Sequence, residues 1–262
     1  MTDDTPADIL QVRYEGPIAV MTLNNPRRLN AFNWAMRSQM YEQLLRIESN
    51  DDCRAIVLTG AGGNLCAGGD ISEMKRRQIV EARMRTDLAA RIFKLLVSGP
   101  KPFVCAVEGN AAGAGVSFVA ASDYAVAASD AKFSCAFMKV GLMPDVGAIW
   151  SLPRKVGHRK AMELCAFAES FGAQEALQMQ LINRVCDPGQ ALASALTAAE
   201  KFARNPPVAM ALLKAALNTG NDSVDRAVAT ETDYQSVLMN TEDFAEATQA
   251  FMEKRKPQFK GR

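Results

Sequence analysis

Apolar residues change their spacing along this chain, and each change marks an element. Residues 9–23 form two apolar runs either side of Glu15-Gly16-Pro17, which predicts two short strands around a turn; Ile18-Ala19-Val20-Met21-Thr22-Leu23 is the stronger strand. Turn chemistry follows in Asn24-Asn25-Pro26-Arg27-Arg28. Behind Asn33, a residue suited to a helix start, Met36, Met40, Leu44 and Ile47 recur at helical spacing and share one core-facing side. A second apolar strand, Arg54-Ala55-Ile56-Val57-Leu58-Thr59, runs into the glycine-rich stretch Gly60–Asp70. An amphipathic helix is expected over Ile71–Val97, with Pro100 and Pro102 beyond its end. The unit then recurs as strand 103–107, a glycine-rich turn over 109–115, a short helix to about Ala121 and strand Tyr124–Ala127. A third glycine-rich corner spans Gly141 to Gly147.

Past residue 190 or so the alternation stops. Segments 188–204, 207–219, 222–239 and 241–255 read as helices punctuated by Pro206-Pro207 and Thr219-Gly220-Asn221-Asp222. The expectation is an α/β core with a helical tail. Periodicity leaves open whether that core is doubly wound or coiled as a solenoid.

Composition narrows the function classes. A chain of 262 residues, 48% of them hydrophobic, has enough material for one large core. Thirty basic against twenty-nine acidic residues give a net charge of +1, so no global attraction to nucleic acid or an anionic membrane is expected. The six cysteines are scattered, several in apolar runs, with no Cys-x-x-Cys pair, and read as buried free thiols. A single histidine, His158, cannot build a histidine-rich zinc centre. The start Met1-Thr2-Asp3-Asp4 lacks a basic-then-apolar signal, and no apolar run is long enough to span a bilayer, so a cytoplasmic, reducing setting is the expectation.

Three corners are the candidates for chemistry. Asn64-Leu65-Cys66-Ala67-Gly68-Gly69-Asp70 and Gly109-Asn110-Ala111-Ala112-Gly113-Ala114-Gly115 each lie between a strand and a helix. Main-chain amides at two such corners can converge on one oxygen, and one such donor is worth about 3–4 kcal/mol to an oxyanion. Close helix–strand packing explains the same glycines without any ligand. The third, Val140-Gly141-Leu142-Met143-Pro144-Asp145-Val146-Gly147, offers Asp145 as a helix cap or as a carboxylate beside an activated carbon. Neither the P-loop pattern nor Gly-x-Gly-x-x-Gly occurs, which argues against nucleotide binding. Asp70 is expected to bond within its own loop, Cys66 to fill space, Ser117 to pack within a helix, and His158 to sit exposed near a helix start.

Taken in order, Asn24-Asn25-Pro26-Arg27-Arg28-Leu29-Asn30-Ala31, Cys66-Ala67-Gly68-Gly69-Asp70, Gly109–Gly115 and Phe251–Arg262 resemble the crotonase, or enoyl-CoA hydratase/isomerase, superfamily over nearly the whole chain. The resemblance implies a spiral of repeated ββα units over residues 1–195. Residues 196–262 would be a helical region that covers the site and supports trimers, or hexamers built from two trimers. It implies an acyl-CoA substrate, with coenzyme A as part of the thioester and no prosthetic group or metal, and a carbonyl oxygen held by the amides of Gly69 and Ala114. Arg27, Arg28, Ala67, Asp70, Lys254 and Lys256 match coenzyme A-binding positions.

The two glutamates of the family's hydratases are matched here by Ser117 and Phe137, neither of which exchanges a proton as a carboxylate does. Asp145 stands where ring-opening and double-bond isomerases of the family carry their proton-shuttling aspartate, with Ala148 where a second glycine is common. The favoured expectation is therefore an acyl-CoA isomerase. The alternatives are a hydratase-like lyase with an acid drawn from Glu108, Glu163 or Glu169, and a non-catalytic acyl-CoA-binding subunit. A dehalogenase fits poorly, because Trp150 follows Asp145 rather than preceding it.

Overall fold

The computed structural model describes residues 8–219 and 223–262. The reading of Met1–Asp4 and that of Gly220–Asp222 as punctuation lie outside the described residues.

Strand β1 (Leu10–Glu15) pairs antiparallel with β2 (Ile18–Leu23), and helix α1 (Trp34–Glu48) follows. The Asn33 side chain accepts from the Met36 amide at 2.9 Å, the capping bond its position predicts. From here the chain winds in turns, each with a strand in a large sheet, a short stretch in a small one, and a helix. The first turn is β3 (Ala55–Gly60), an isolated bridge from Cys66 to Ala111, and α2 (Ile79–Ser98). The second is β4 (Phe103–Val107), β5 (Asn110–Ala112) and α3 (Ala114–Ala121). The third is β6 (Tyr124–Ala128), β7 (Lys132–Ser134) and the pair α4 (Ala148–Val156) and α5 (His158–Phe167). Then come β8 (Ser170–Gly172), α6 (Ala173–Gln178) and β9 (Arg184–Cys186). The large sheet runs β1-β2-β3-β4-β6-β9, parallel from β2 onward, and the small one runs β5-β7-β8. This is the repeated ββα winding that the resemblance implies, and it decides for the coiled arrangement.

Alternation sorts the strand residues onto two covered faces. Met21, Leu23, Leu58, Phe103, Cys105 and Val107 join the main core with α1, α2 and α3. Ile18, Val20, Val57, Val104, Ala106 and Val126 meet Ala191, Ala195 and Ala199 of helix α7 (Ala191–Ala203). Both faces of β4 are therefore dry, which is why it reads as an unbroken apolar run. Residues 195 and 196 both fall inside α7, so this helix is a layer of the core as well as the start of the helical tail. Helices α8 (Pro207–Asn218), α9 (Val224–Leu238) and α10 (Glu242–Met252) follow, with no strand among the described residues beyond β9.

The structure departs from the pattern in particular places. The helix expected over 71–97 begins only at Ile79; Ile71–Glu73 is a single 3-10 turn and residues 74–78 are irregular. The Lys75-Arg76-Arg77 run has no apolar face to bury, and the Glu73 carboxylate is drawn to the Trp34 amide and the Arg85 guanidinium. Part of the expected turn over 109–115 is strand β5, because Cys66 and β7 flank it and take up its main-chain groups. Elements α4 through β9 go unread in the sequence; each is short, and β8 and β9 are held by strands distant in sequence. The six cysteines are free thiols, Cys53, Cys66, Cys105 and Cys135 buried and Cys165 and Cys186 half-buried. Among the described residues, no helix is long and apolar enough to cross a membrane.

Candidate active site

The two early corners are in direct contact. Gly113 adopts φ +49°, ψ −113°, a conformation open to glycine, and a Cβ placed there would lie 3.4 Å from the Gly68 Cα. Ala114 is thereby the first residue of α3, where an amide has no partner within its own helix. Neither the Ala114 amide nor the Gly69 amide donates to an acceptor among the described residues. Both residues line a cavity of about 260 Å³ together with Ala67, Asp70 and Asp145. The helix field at the start of α3 favours negative charge at this spot.

Asp145 reaches the same cavity through a strained corner. Val146 has φ +49°, unusual for a β-branched residue, and Gly147 has φ +72°. Gly147 has no substitute, because a Cβ there would lie 2.3 Å from the Phe93 ring. The alternative role of Asp145 as a side-chain cap is not realised: Gly147 is the cap residue of α4 and no side chain bonds into that helix start. Instead the Asp145 carbonyl accepts from the Ala148 amide at 3.1 Å and from the Ser117 hydroxyl at 3.0 Å. Ser117, fully buried in α3, thus ties the second corner to the third, beyond the packing role read for it. Phe137 lines the cavity as an apolar wall. Burial drives the Asp145 carboxyl above the ordinary aspartate value, opposed by the positive charge of Arg37.

Asp70 bonds within its loop as expected, accepting from the Ser72 amide and hydroxyl at 2.9 and 2.7 Å. It also binds Arg28 Nη1 at 3.0 Å, a partner from another segment. Burial pushes its carboxyl up, but Ser72 and Arg28 together bring it below its ordinary value. Arg28 therefore has its charge engaged by a cavity-lining carboxylate but is not itself among the lining residues. Arg27, Lys254 and Lys256 are not among the cavity-lining residues; Lys256 borders a separate groove with Pro17, Arg54 and Phe259. The Cys66 thiol is pushed by burial up to about 11, so it is neutral filler near pH 7.

The acids considered for a rearranged lyase lie elsewhere. Glu108 accepts from the amides of Gly189 and Ala191 at the start of α7, Glu163 pairs with Lys160 on exposed α5, and Glu169 is exposed outside the cavity. Sequence reasoning missed Arg37, Glu73 and Arg85, all of which line the cavity. Arg37 immediately follows Met36 of the α1 stripe, and a charged residue beside an apolar stripe reads as solvated. Glu73 and Arg85 lay hidden in the helix expected over 71–97. Among the described residues, no group of three or more His, Cys, Asp or Glu side chains gathers to hold a metal ion.

The chain matches the family model for enoyl-CoA hydratase/isomerase over residues 13–262. It is 37% identical over 257 residues to the 1,2-epoxyphenylacetyl-CoA isomerase of Escherichia coli K12, covering 95% of this chain and 97% of that protein. It is also 37% identical over 244 residues to the short-chain-enoyl-CoA hydratase of Clostridium acetobutylicum, covering 92% and 94%. The crystal structure of an enoyl-CoA hydratase from Polaromonas sp. JS666 superposes with a TM-score of 0.90 at 33% identity, covering 95% of this chain and 99% of that one. With the winding, the paired corners and these likenesses in agreement, the chain belongs to the enoyl-CoA hydratase/isomerase (crotonase) family, as an enzyme of acyl-CoA metabolism.

Proposed function

We propose that this enzyme is an acyl-CoA isomerase in which Asp145 carries the proton. The thioester carbonyl oxygen accepts hydrogen bonds from the Gly69 and Ala114 amides. The Asp145 carboxylate removes a proton from the carbon next to the carbonyl, and the C–H electron pair becomes the enolate double bond while charge builds on the held oxygen. The same carboxyl returns the proton two carbons further along, so the carbon–carbon double bond moves into conjugation. In a strained-ring substrate, the same enolate electrons can drive ring opening.

The observation that carries this reading is the single cavity shared by Gly69, Ala114 and Asp145, with Ser117 and Phe137 where the resemblance implies hydratase glutamates. The other carboxylates lining the cavity are engaged, Asp70 by Ser72 and Arg28 and Glu73 by Trp34 and Arg85, which leaves Asp145 as the available base. The likeness to an epoxyphenylacetyl-CoA isomerase supports isomerisation; the likeness to hydratases supports the shared thioester site. Arg27, Arg28, Lys254 and Lys256 remain proposed contacts for coenzyme A phosphates. Exposed apolar side chains on the tail, such as Leu217, Val224, Phe251 and Met252, support a trimer or hexamer, to be checked by light scattering.

The test is Asp145→Asn with 3-enoyl-CoA substrates. Isomerisation should fall by about 10²–10⁴-fold with ligand affinity retained. Wild-type turnover in the variant, or a 3-hydroxyacyl product carrying oxygen from labelled water in place of a shifted double bond, would refute the reading.

A further inference from the structure

Arg37 is a half-buried cation that the chemistry above does not use. Its Nε donates to the Phe32 carbonyl at 3.2 Å, its Nη1 reaches the Arg85 carbonyl at 3.5 Å, and its guanidinium lies 4.9 Å from the centre of the Phe32 ring. These contacts fix the fork without neutralising it, since carbonyls and a ring remove no charge. A guanidinium has five N–H donors, so several remain after the two carbonyls are served.

The other charges around the cavity are accounted for. Asp70 binds Arg28 and Ser72, Glu73 binds Arg85 and the Trp34 amide, and Arg77 binds Glu81. Lys75 is exposed to solvent. From α3 the Ser117 hydroxyl faces the Asp145 main chain, and from the turn at 136–140 come the apolar Phe137 and Val140. Among the described residues Arg37 makes no direct ion pair, and it is the charged side chain that acts on Asp145. Arg37 and Asp145 are therefore, among the described residues, the two partly shielded charges lining this cavity that no direct ion pair engages.

We infer that Arg37 is a positioning residue for proton transfer: its anchored guanidinium, lining the same cavity as Asp145 and held by no ion pair among the described residues, keeps that carboxylate ionised between turnovers. This inference rests on Asp145 as the proton carrier. Burial alone would hold Asp145 protonated to higher pH and take the base out of service, and a fixed cation opposes that. Once Asp145 has taken the substrate proton, the same cation makes the neutral acid a readier donor for the second transfer. Arg37 thus acts on both half-steps without touching the reacting carbons.

The experiment is deuterium uptake from ²H₂O at the carbon next to the carbonyl of butyryl-CoA and phenylacetyl-CoA, followed by mass spectrometry across pH. Wild-type protein is compared with Arg37→Gln, Arg37→Met, Arg37→Lys and Asp145→Asn. In the two neutral variants the ascending limb of the rate should move up by about one pH unit or more, so that below the limb exchange is about tenfold slower per unit. Above the limb it should approach the wild-type rate. Arg37→Lys, which keeps the charge, should leave the limb close to its wild-type position. A limb unmoved in Arg37→Gln and Arg37→Met overturns the inference, as does one displaced by a unit or more in Arg37→Lys. If the neutral variants do not fold, a limb displaced in Arg37→Lys still overturns the inference. Wild-type exchange in Asp145→Asn would remove the proton-carrier reading itself, an outcome separate from any result at Arg37.

Discussion

Replacing Ala114 by proline isolates one main-chain donor. Proline removes the N–H and is well tolerated at the first position of a helix, which Ala114 occupies in α3. The fold loses no hydrogen bond, because that amide has no acceptor among the described residues. The preceding residue is Gly113, whose lack of a Cβ relieves the usual clash ahead of proline. The next intrahelical bond, from the Ser117 amide to the Gly113 carbonyl at 3.1 Å, is untouched. Ala114→Pro should therefore keep its melting temperature within a few degrees while losing one of the two proposed oxyanion donors, worth about 3–4 kcal/mol or 10²–10³ in kcat.

The ring also occupies space where the amide hydrogen pointed, so binding must be read separately. Steady-state isomerisation of a 3-enoyl-CoA supplies kcat, and calorimetry with a thioether analogue lacking the carbonyl supplies affinity. The expected outcome is a large fall in kcat with thioether affinity within about tenfold of wild type. A folded variant that turns over at the wild-type rate would show that the Ala114 amide takes no part, and the thioester would have to be held elsewhere.

Other expectations bear on the scaffold. Ser117→Ala removes the hydroxyl that holds the Asp145 carbonyl and should cost about 1 kcal/mol in urea unfolding and on the order of tenfold in kcat. An unaltered kcat would separate that bond from catalysis. Lys214 of α8 is 5% exposed; its Nζ bonds the Leu96 and Lys101 carbonyls and pairs with Asp123 at 2.7 Å. Lys214→Ala removes the donor to both carbonyls and the counter-charge of Asp123, which keeps only the Phe103 amide among the described residues, and should cost about 3–5 kcal/mol of stability, read by chemical denaturation. A loss below 1 kcal/mol would mean that α8 docks by apolar packing alone.

Local pattern alone was enough for every element whose residues answer to their near neighbours. The stripe Met36, Met40, Leu44 and Ile47 and the strands at 18–23, 55–60 and 103–107 were legible because burial on one or both faces imposes a period, whereas the α8 to α10 tail, in which α9 has no buried residue, was legible from its breaks, such as Pro206-Pro207. The third corner offered Asp145 by itself, while the resemblance carried by the corner motifs pointed to Gly69 and Ala114, and all three line one cavity. What stayed hidden depends on contacts between distant segments. The late start of α2 follows from Glu73 turning towards Trp34 and Arg85, and the strand at 110–112 exists because Cys66 and β7 lie alongside it. Arg37 and Arg85 carry the composition of a solvated helix face until the spiral closes over them. A charge in sequence has no dielectric surroundings of its own; packing sets which cations lose water, which carboxylates they face, and hence which proton can move.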